Sequence, residues 1–129
     1  MSSKQILLQQ IDNLINQLSI LYPKNNEILI FSETYHLIRK TNSMLIIDYF
    51  IQYIYPHKER IINYDETFFL EGGGQEELKN ANKLKFRDNL KLLWINDMSD
   101  DNKEIVWKYF KAFVILCEKY ILENLDQNT

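Results

Sequence analysis

Glu33 and His36 are the residues of this chain whose types and spacing most resemble a reactive site. Three residues apart on a helix, they place a carboxylate and an imidazole on one face, as helical di-metal proteins do. Such a site needs a second Glu-x-x-His pair, yet the other histidine, His57, follows Pro56 without that spacing. With one cysteine in the chain, a zinc site is short of ligands as well. We therefore predict a structural or surface role for His36, and no metal or cofactor.

Nucleophilic chemistry finds equally little support. Cys117 lies in the apolar run FVILC, where burial raises a thiol pKa and keeps the sulfur inert. No serine occurs in a GxSxG turn. The sequence therefore predicts a protein that is not an enzyme.

All three glycines of the chain are consecutive, at residues 72–74. A phosphate-binding loop would place a lysine and a hydroxyl directly after the last glycine. Here Glu71 precedes the glycines and Gln75, Glu76 and Glu77 follow, so carboxylates would repel a bound anion. We predict a flexible connection between two groups of helices, and a hinge that moves when a partner docks remains the alternative.

Four basic residues recur every four positions and would form a ridge along one helix: Lys79, Lys83, Arg87 and Lys91. Such a ridge could follow the phosphates of a nucleic acid or meet another acidic partner. The alternative is an ordinary solvated face, since Glu76, Glu77 and Asp88 lie near it. The whole chain has 15 basic and 18 acidic residues, a formal net charge of −3, which does not favour nucleic acid by default.

The elements that would position these residues are helical. Apolar residues at alternating spacings of three and four predict helices over 3–21, 26–40, 43–55, 57–70 in short pieces, 76–95 and 100–125. The β-branched and aromatic content of 43–55 also suits a strand, but Asp48 and Gln52, four apart, favour a helix. We expect an all-α, single-domain bundle of five or six helices over residues 1–129, with the long C-terminal helix packed centrally.

The chain has more aromatic side chains than one small hydrophobic core can readily bury. We predict that five of them form a partner surface: Tyr49, Tyr53, Tyr55, Trp107 and Tyr109. Exposed tyrosine and tryptophan are typical anchors of protein interfaces. The equally weighted alternative is that these rings pack between helices with their hydroxyls at the rim. The regular apolar stripe of residues 3–21 also leaves self-association open.

Two segments of the chain, NSMLIIDYFIQYIYPHKERIINYDETFFLEGG and LKLLWINDMSDDNKEIVWKYFKAFVILCEKYIL, carry a resemblance. The second resembles a "W…(S)xxNKxxxWxYF…L" ending that recurs in small uncharacterised helical proteins of nucleocytoplasmic large DNA viruses, the giant viruses. Its matching residues are Trp94, Ser99, Asn102, Lys103, Trp107, Tyr109 and Phe110. The resemblance implies a viral origin and no activity.

These observations predict a non-enzymatic viral helical protein that acts by protein–protein interaction in assembly, transcription or host interference. Nucleic-acid binding through the basic ridge is the alternative. The resemblance implies a location in the cytoplasm of the infected cell, with packaging in the virion as a further expectation. The longest apolar runs are far below the roughly 20 residues that a bilayer span needs, and the single cysteine favours a reducing compartment.

Overall fold

The chain is an all-α bundle, seen in a computed structural model that describes residues 1–72 and 84–127. No strand occurs within these two ranges, and the prediction of a helix rather than a strand after Asn42 is confirmed. The α-helices are α1 (Ser3–Leu21), α2 (Asn26–Thr41), α3 (Ser43–Tyr49), α4 (Lys58–Ile62), α5 (Thr67–Leu70), α6 (Phe86–Asn96) and α7 (Asp100–Gln127).

The first two helices begin and end where local side chains dictate. Ser2 caps α1 by accepting a hydrogen bond from the backbone N–H of Gln5, whose side chain reciprocates, and Pro23 follows its last turn. Asn25 caps α2 through the N–H of Ile28. Apart from Leu21, which is 38% exposed, the predicted apolar seams of both helices pack against the core, so these two helices enclose one side of it.

The long helix α7 packs antiparallel to α1. Near one end of the pair, the Ser3 hydroxyl donates to Glu123 across 2.6 Å, and toward the other end the Tyr109 hydroxyl donates to Gln17 across 3.1 Å. The buried residues of α7 are Val106, Trp107, Phe110, Phe113, Val114, Leu116 and Cys117. Helix α7 also contacts α4 and the segment after α3, which confirms its predicted central position.

Helix α3 does not continue regularly to Pro56. A π-helical turn at Phe50–Ile54 and a 3-10 turn at Tyr55–His57 follow it. The N–H of Tyr55 donates to the carbonyl of Phe50, five residues back, and Pro56 has no N–H with which to restore the α-helical pattern. This widened turn places Phe50 and Ile54 in the core.

A buried aromatic cluster joins α5, α6 and α7. The Phe69 ring stacks on Trp94 with centroids 4.3 Å apart, and Trp94 meets Trp107 edge to face at 5.3 Å. Tyr64, at φ 53 just after α4, stacks on Trp107 at 5.2 Å. Edge and offset ring contacts of this kind add to the stabilisation from buried area. The cluster therefore holds the second half of the chain together.

Helix α6 begins later than the sequence predicts. The predicted helix over 76–95 is wrong at residues 84 and 85, which are not helical; residues 76–83 lie outside the described ranges. Lys85 has φ 23, a left-handed conformation that ends any helical register before Phe86. The Phe86 ring then enters the core, 4.7 Å from Phe31 and 5.2 Å from Phe50.

Candidate interaction surfaces

Two of the five aromatic residues predicted for a partner surface are buried. Tyr49 is 2% exposed and Trp107 is 4% exposed. The Tyr49 hydroxyl accepts a hydrogen bond from the backbone N–H of Phe86 at 3.0 Å. Both side chains are core residues, because neighbouring helices cover their rings completely, so their assignment as partner anchors is wrong.

The other three tyrosines, Tyr53, Tyr55 and Tyr109, are half-buried against the core. Tyr109 donates to Gln17, as described above, and the Tyr55 hydroxyl donates to Glu118 at 3.3 Å. The structure thus supports the alternative, in which the rings pack between helices and the hydroxyls lie at the rim. Contact with a partner through these three stays a prediction.

The Glu118 carboxylate also accepts hydrogen bonds from the ammonium of Lys58, at 3.0 and 3.1 Å. This pair joins α7 to α4. The hydrogen bond from Lys58 lowers the pKa of the Glu118 carboxyl, and the same bond raises the pKa of Lys58. Both side chains are partly solvent-exposed, at 35% and 43%, so the pair adds little to stability. The pair holds Glu118 beside Tyr55, whose hydroxyl donates to the same carboxylate.

The predicted basic ridge does not exist as one surface. Arg87 is 3% exposed and points into the protein, where its Nε and Nη2 donate to the Phe68 carbonyl at 2.9 and 2.7 Å. Its guanidinium lies 4.3 Å from the centroid of the Phe68 ring. Arg87 cannot meet a nucleic acid without leaving these buried contacts. Lys79 and Lys83 lie outside the described residues, and Lys91 is partly exposed.

Arg87 belongs to a chain of contacts that reaches the surface. Its Nη1 lies 3.4 Å from Nε2 of His57, and Nδ1 of the same ring lies 3.4 Å from Nη1 of Arg60. Arg60 Nη2 in turn donates to Thr67 at 2.7 Å and to Glu71 at 2.9 Å. The network joins α4, α5 and α6, and its donors are used within the protein.

Gly72 ends α5 in a left-handed conformation, with φ +66, and its N–H donates to the Phe69 carbonyl at 3.1 Å. Glycine is favoured at this position after a helix. A Cβ at Gly72 would lie 2.5 Å from Oδ1 of Asp88, so α6 approaches the backbone closely here. Gly72, the first residue of the flexible connection predicted over 72–74, is a buried helix end, and residues 73–74 lie outside the described ranges.

The remaining candidate reactive groups are inert or scattered. Burial raises the pKa of the Cys117 thiol to about 12, as the apolar run predicts. Glu33 and His36 are both exposed on α2. Within residues 1–72 and 84–127, no three His, Cys, Asp or Glu residues are placed to hold a metal ion.

An exposed apolar face on α2 and α6 was missed by the sequence reasoning. Its members are Ile30 at 65% exposure, Leu37 at 63%, Leu92 at 50% and Ile95 at 52%. We call these four residues the α2/α6 face. Its signal was the pair Ile30 and Leu37, seven residues apart and off the buried seam of Ile28, Phe31 and Tyr35.

Two clefts follow the groove between α2 and α6. One, of about 330 Å³, is lined by Ile30 and Thr34 from α2 and by Lys85 and Asn89. The other, also about 330 Å³, is lined by Asn26, Glu27, Leu92 and Asn96 among others. Ile30 and Leu92 thus lie along a single groove, in which the two helices run antiparallel.

The fold defines the chain as an all-α helical bundle. No protein-family model matches it, and neither the curated proteins nor the solved structures contain a significant match. Among the helices in the described ranges, none combines the length and apolar character that crossing a bilayer requires.

Proposed function

We propose that the protein is a non-enzymatic helical interaction protein whose α2/α6 face docks a protein partner. The observation that supports this is the exposure of Ile30, Leu37, Leu92 and Ile95 on two adjacent helices, each at least half exposed. Two of them, Ile30 and Leu92, line the groove between these helices, and exposed apolar residues along a groove are typical of binding sites. Burying them against a partner would release the water that they order.

The groove fits an amphipathic helix. Ile30 and Leu92 supply apolar contacts along it, and a helix from a partner would lay its apolar face between them. Charges at the two ends would set its direction, because Lys85 lies at one end while Glu27 and Asp97 line the other. A partner helix with an acidic and a basic end in the matching order is therefore preferred.

The resemblance to giant-virus proteins also suggests where this interaction takes place. The interaction would take place in the cytoplasm of an infected cell, or in the virion, and would serve assembly, transcription or interference with the host. The proposed docking through α2 and α6 does not depend on which of these roles applies.

The test compares partners recovered by matched variants of the tagged chain, purified from the cells that naturally express it. Ile30→Ser combined with Leu92→Ser removes the two members of the α2/α6 face that line the groove. Ile115→Ser combined with Leu122→Ser, two residues 44% and 56% exposed on α7, is the control. We expect one or more proteins to be lost with the first variant and retained with the second. Identical recoveries from the two variants, both folded by circular dichroism, would refute the docking face.

Light scattering distinguishes a second copy from a different partner. If the face pairs with itself, the unmodified chain will be a dimer and the Ile30→Ser, Leu92→Ser variant a monomer. Salt-dependent binding of DNA that this variant retains would instead favour the nucleic-acid alternative. Both measurements need only purified protein.

A further inference from the structure

We propose that a cavity between α1 and the junction of α2 with α3 binds a phosphate group of a small molecule. The cavity has a volume of about 450 Å³, within the range of ligand sites. Polar residues line it around an apolar floor at Leu8: Lys4, Gln5, Gln9, Arg39 and Ser43. It lies apart from the α2/α6 face, so the proposal is independent of the proposed function.

Arg39 is held in place by a chain of partly buried hydrogen bonds. The Tyr35 hydroxyl, on a fully buried side chain, donates to Oδ1 of Asp12 at 2.5 Å. Asp12 in turn accepts from Nε of Arg39 at 3.1 and 3.3 Å through its two oxygens. Burial and the contact with Asp12 raise the pKa of Tyr35, so this hydroxyl stays a donor. The guanidinium plane is thereby fixed.

This arrangement leaves the outer edge of the guanidinium available. Asp12 accepts from Nε, the Tyr35 hydroxyl also interacts with Arg39, and Nη1 and Nη2 of Arg39 make no hydrogen bond to an acceptor in residues 1–72 or 84–127. The two terminal nitrogens form the planar fork that matches two oxygens of a phosphate. An arginine held from behind in this way is preorganised for an anion.

Charge favours an anion in this cavity. Lys4 has no ion-pair partner in the described part of the chain, and no carboxylate lines the cavity, since Asp12 lies behind Arg39. By contrast, Glu27 and Asp97 line one cleft described above, and Glu59 accompanies the basic residues of the cavity at Tyr55–Arg60. Lys4 and Arg39 thus bring two cationic groups to the cavity, and the charge of Arg39 is partly balanced by Asp12 behind it.

Neutral donors complete the site. Gln5 accepts the N–H of Ser2 through Oε1, which leaves its amide nitrogen as a donor. The Gln9 amide and the Ser43 hydroxyl also line the cavity and supply further donors. A tetrahedral oxyanion, with more acceptor positions than a carboxylate, makes the fullest use of this set.

The test is a titration of the whole protein, labelled with ¹⁵N, with inorganic phosphate at constant ionic strength set by chloride. We expect saturable shifts of the Arg39 side-chain N–H and the Ser43 amide. Lys4→Gln should weaken binding about tenfold, the effect of losing one charge-assisted hydrogen bond. Lys24→Gln, which removes the same charge from the exposed turn after α1, should leave the affinity unchanged.

A second variant, Arg39→Lys, keeps the charge but removes the fork, and it should also weaken phosphate binding. Sulfate should compete with phosphate, whereas acetate should compete poorly. Shifts that do not saturate, equal effects of Lys4→Gln and Lys24→Gln, or tighter binding of acetate than of phosphate would each overturn the proposal. Phenyl phosphate should bind with the same dependence on Lys4, as expected for a monoester on a small molecule.

Discussion

The Tyr49 hydroxyl accepts the backbone N–H of Phe86 at 3.0 Å, and this bond joins α3 to the first residue of α6. Phe86 follows the left-handed Lys85, so its N–H has no helical partner of its own. A side chain predicted to contact a partner thus satisfies a buried donor within the chain. The bond fixes where α6 begins.

Tyr49→Phe should destabilise the protein by about 1 to 3 kcal/mol, because the N–H of Phe86 would be left buried without its acceptor. Urea unfolding followed by circular dichroism measures the change. Tyr53→Phe is the matched control: its half-buried hydroxyl makes no hydrogen bond within the described residues, and its removal should change stability by less than about 0.5 kcal/mol. Equal effects of the two substitutions would contradict this role for Tyr49.

Arg87→Met should lower the free energy of unfolding by about 2 kcal/mol, because the charged donors to the Phe68 carbonyl are lost. Lys91→Met, one helical turn later on the partly exposed side of α6, should alter it by no more than about 0.5 kcal/mol. Comparable losses would mean that Arg87 acts as a surface residue, as the basic ridge predicted.

Much of the fold is predictable because local rules decide it. The apolar seam, the Ser2 cap and Pro23 define α1 over Ser3–Leu21, the predicted range. The start of α6 is different, since it depends on the left-handed Lys85 and on an acceptor, Tyr49, that is 37 residues away in sequence. Spacing alone assumes an unbroken helix, and for that reason it placed Arg87 on a ridge with Lys79 and Lys83.

The candidate surfaces were harder to predict than the helices. Whether Tyr49 or Trp107 is exposed depends on how many helices cover it, and that number follows from packing rather than from composition. Ile30 and Leu37 show the reverse case: apolar residues that no helix covers in the described part of the chain. The cavity at Lys4 and Arg39 brings together residues 35 positions apart, a proximity that no local pattern indicates.

Gly72→Ala should destabilise the chain by more than about 1 kcal/mol, since alanine disfavours a positive φ and its Cβ would approach Asp88 too closely. The destabilisation caused by the contact with Asp88 can be measured separately from that caused by the backbone conformation. In an Asp88→Ala background the same substitution should be less damaging by at least about 0.5 kcal/mol, measured as a double-mutant cycle of unfolding free energies. Strictly additive losses would show that backbone conformation alone requires glycine.

Cys117 should resist alkylation by iodoacetamide at pH 8 in the folded protein and react fully in guanidinium chloride, because burial raises its pKa to about 12. Mass spectrometry measures the modified fraction. Since the folded pKa lies above the ordinary value of 9.0, the associated stability is complete below pH 9 and is lost as the pH rises toward 12. Cys117→Ala should lose this part of the pH dependence. Rapid modification of the native thiol would disprove its burial.

Both tryptophans of the chain, Trp94 and Trp107, are in mutual contact, and Tyr64 stacks on the second of them. Tryptophan fluorescence therefore reports directly on whether α5, α6 and α7 remain together, and it reports on α1 and α2 only through their packing against these helices. Peptide ellipticity averages over every helix. Denaturation curves from fluorescence and from ellipticity will coincide if all the helices unfold in one cooperative transition. The two curves will differ if α5, α6 and α7 unfold at a different denaturant concentration from α1 and α2.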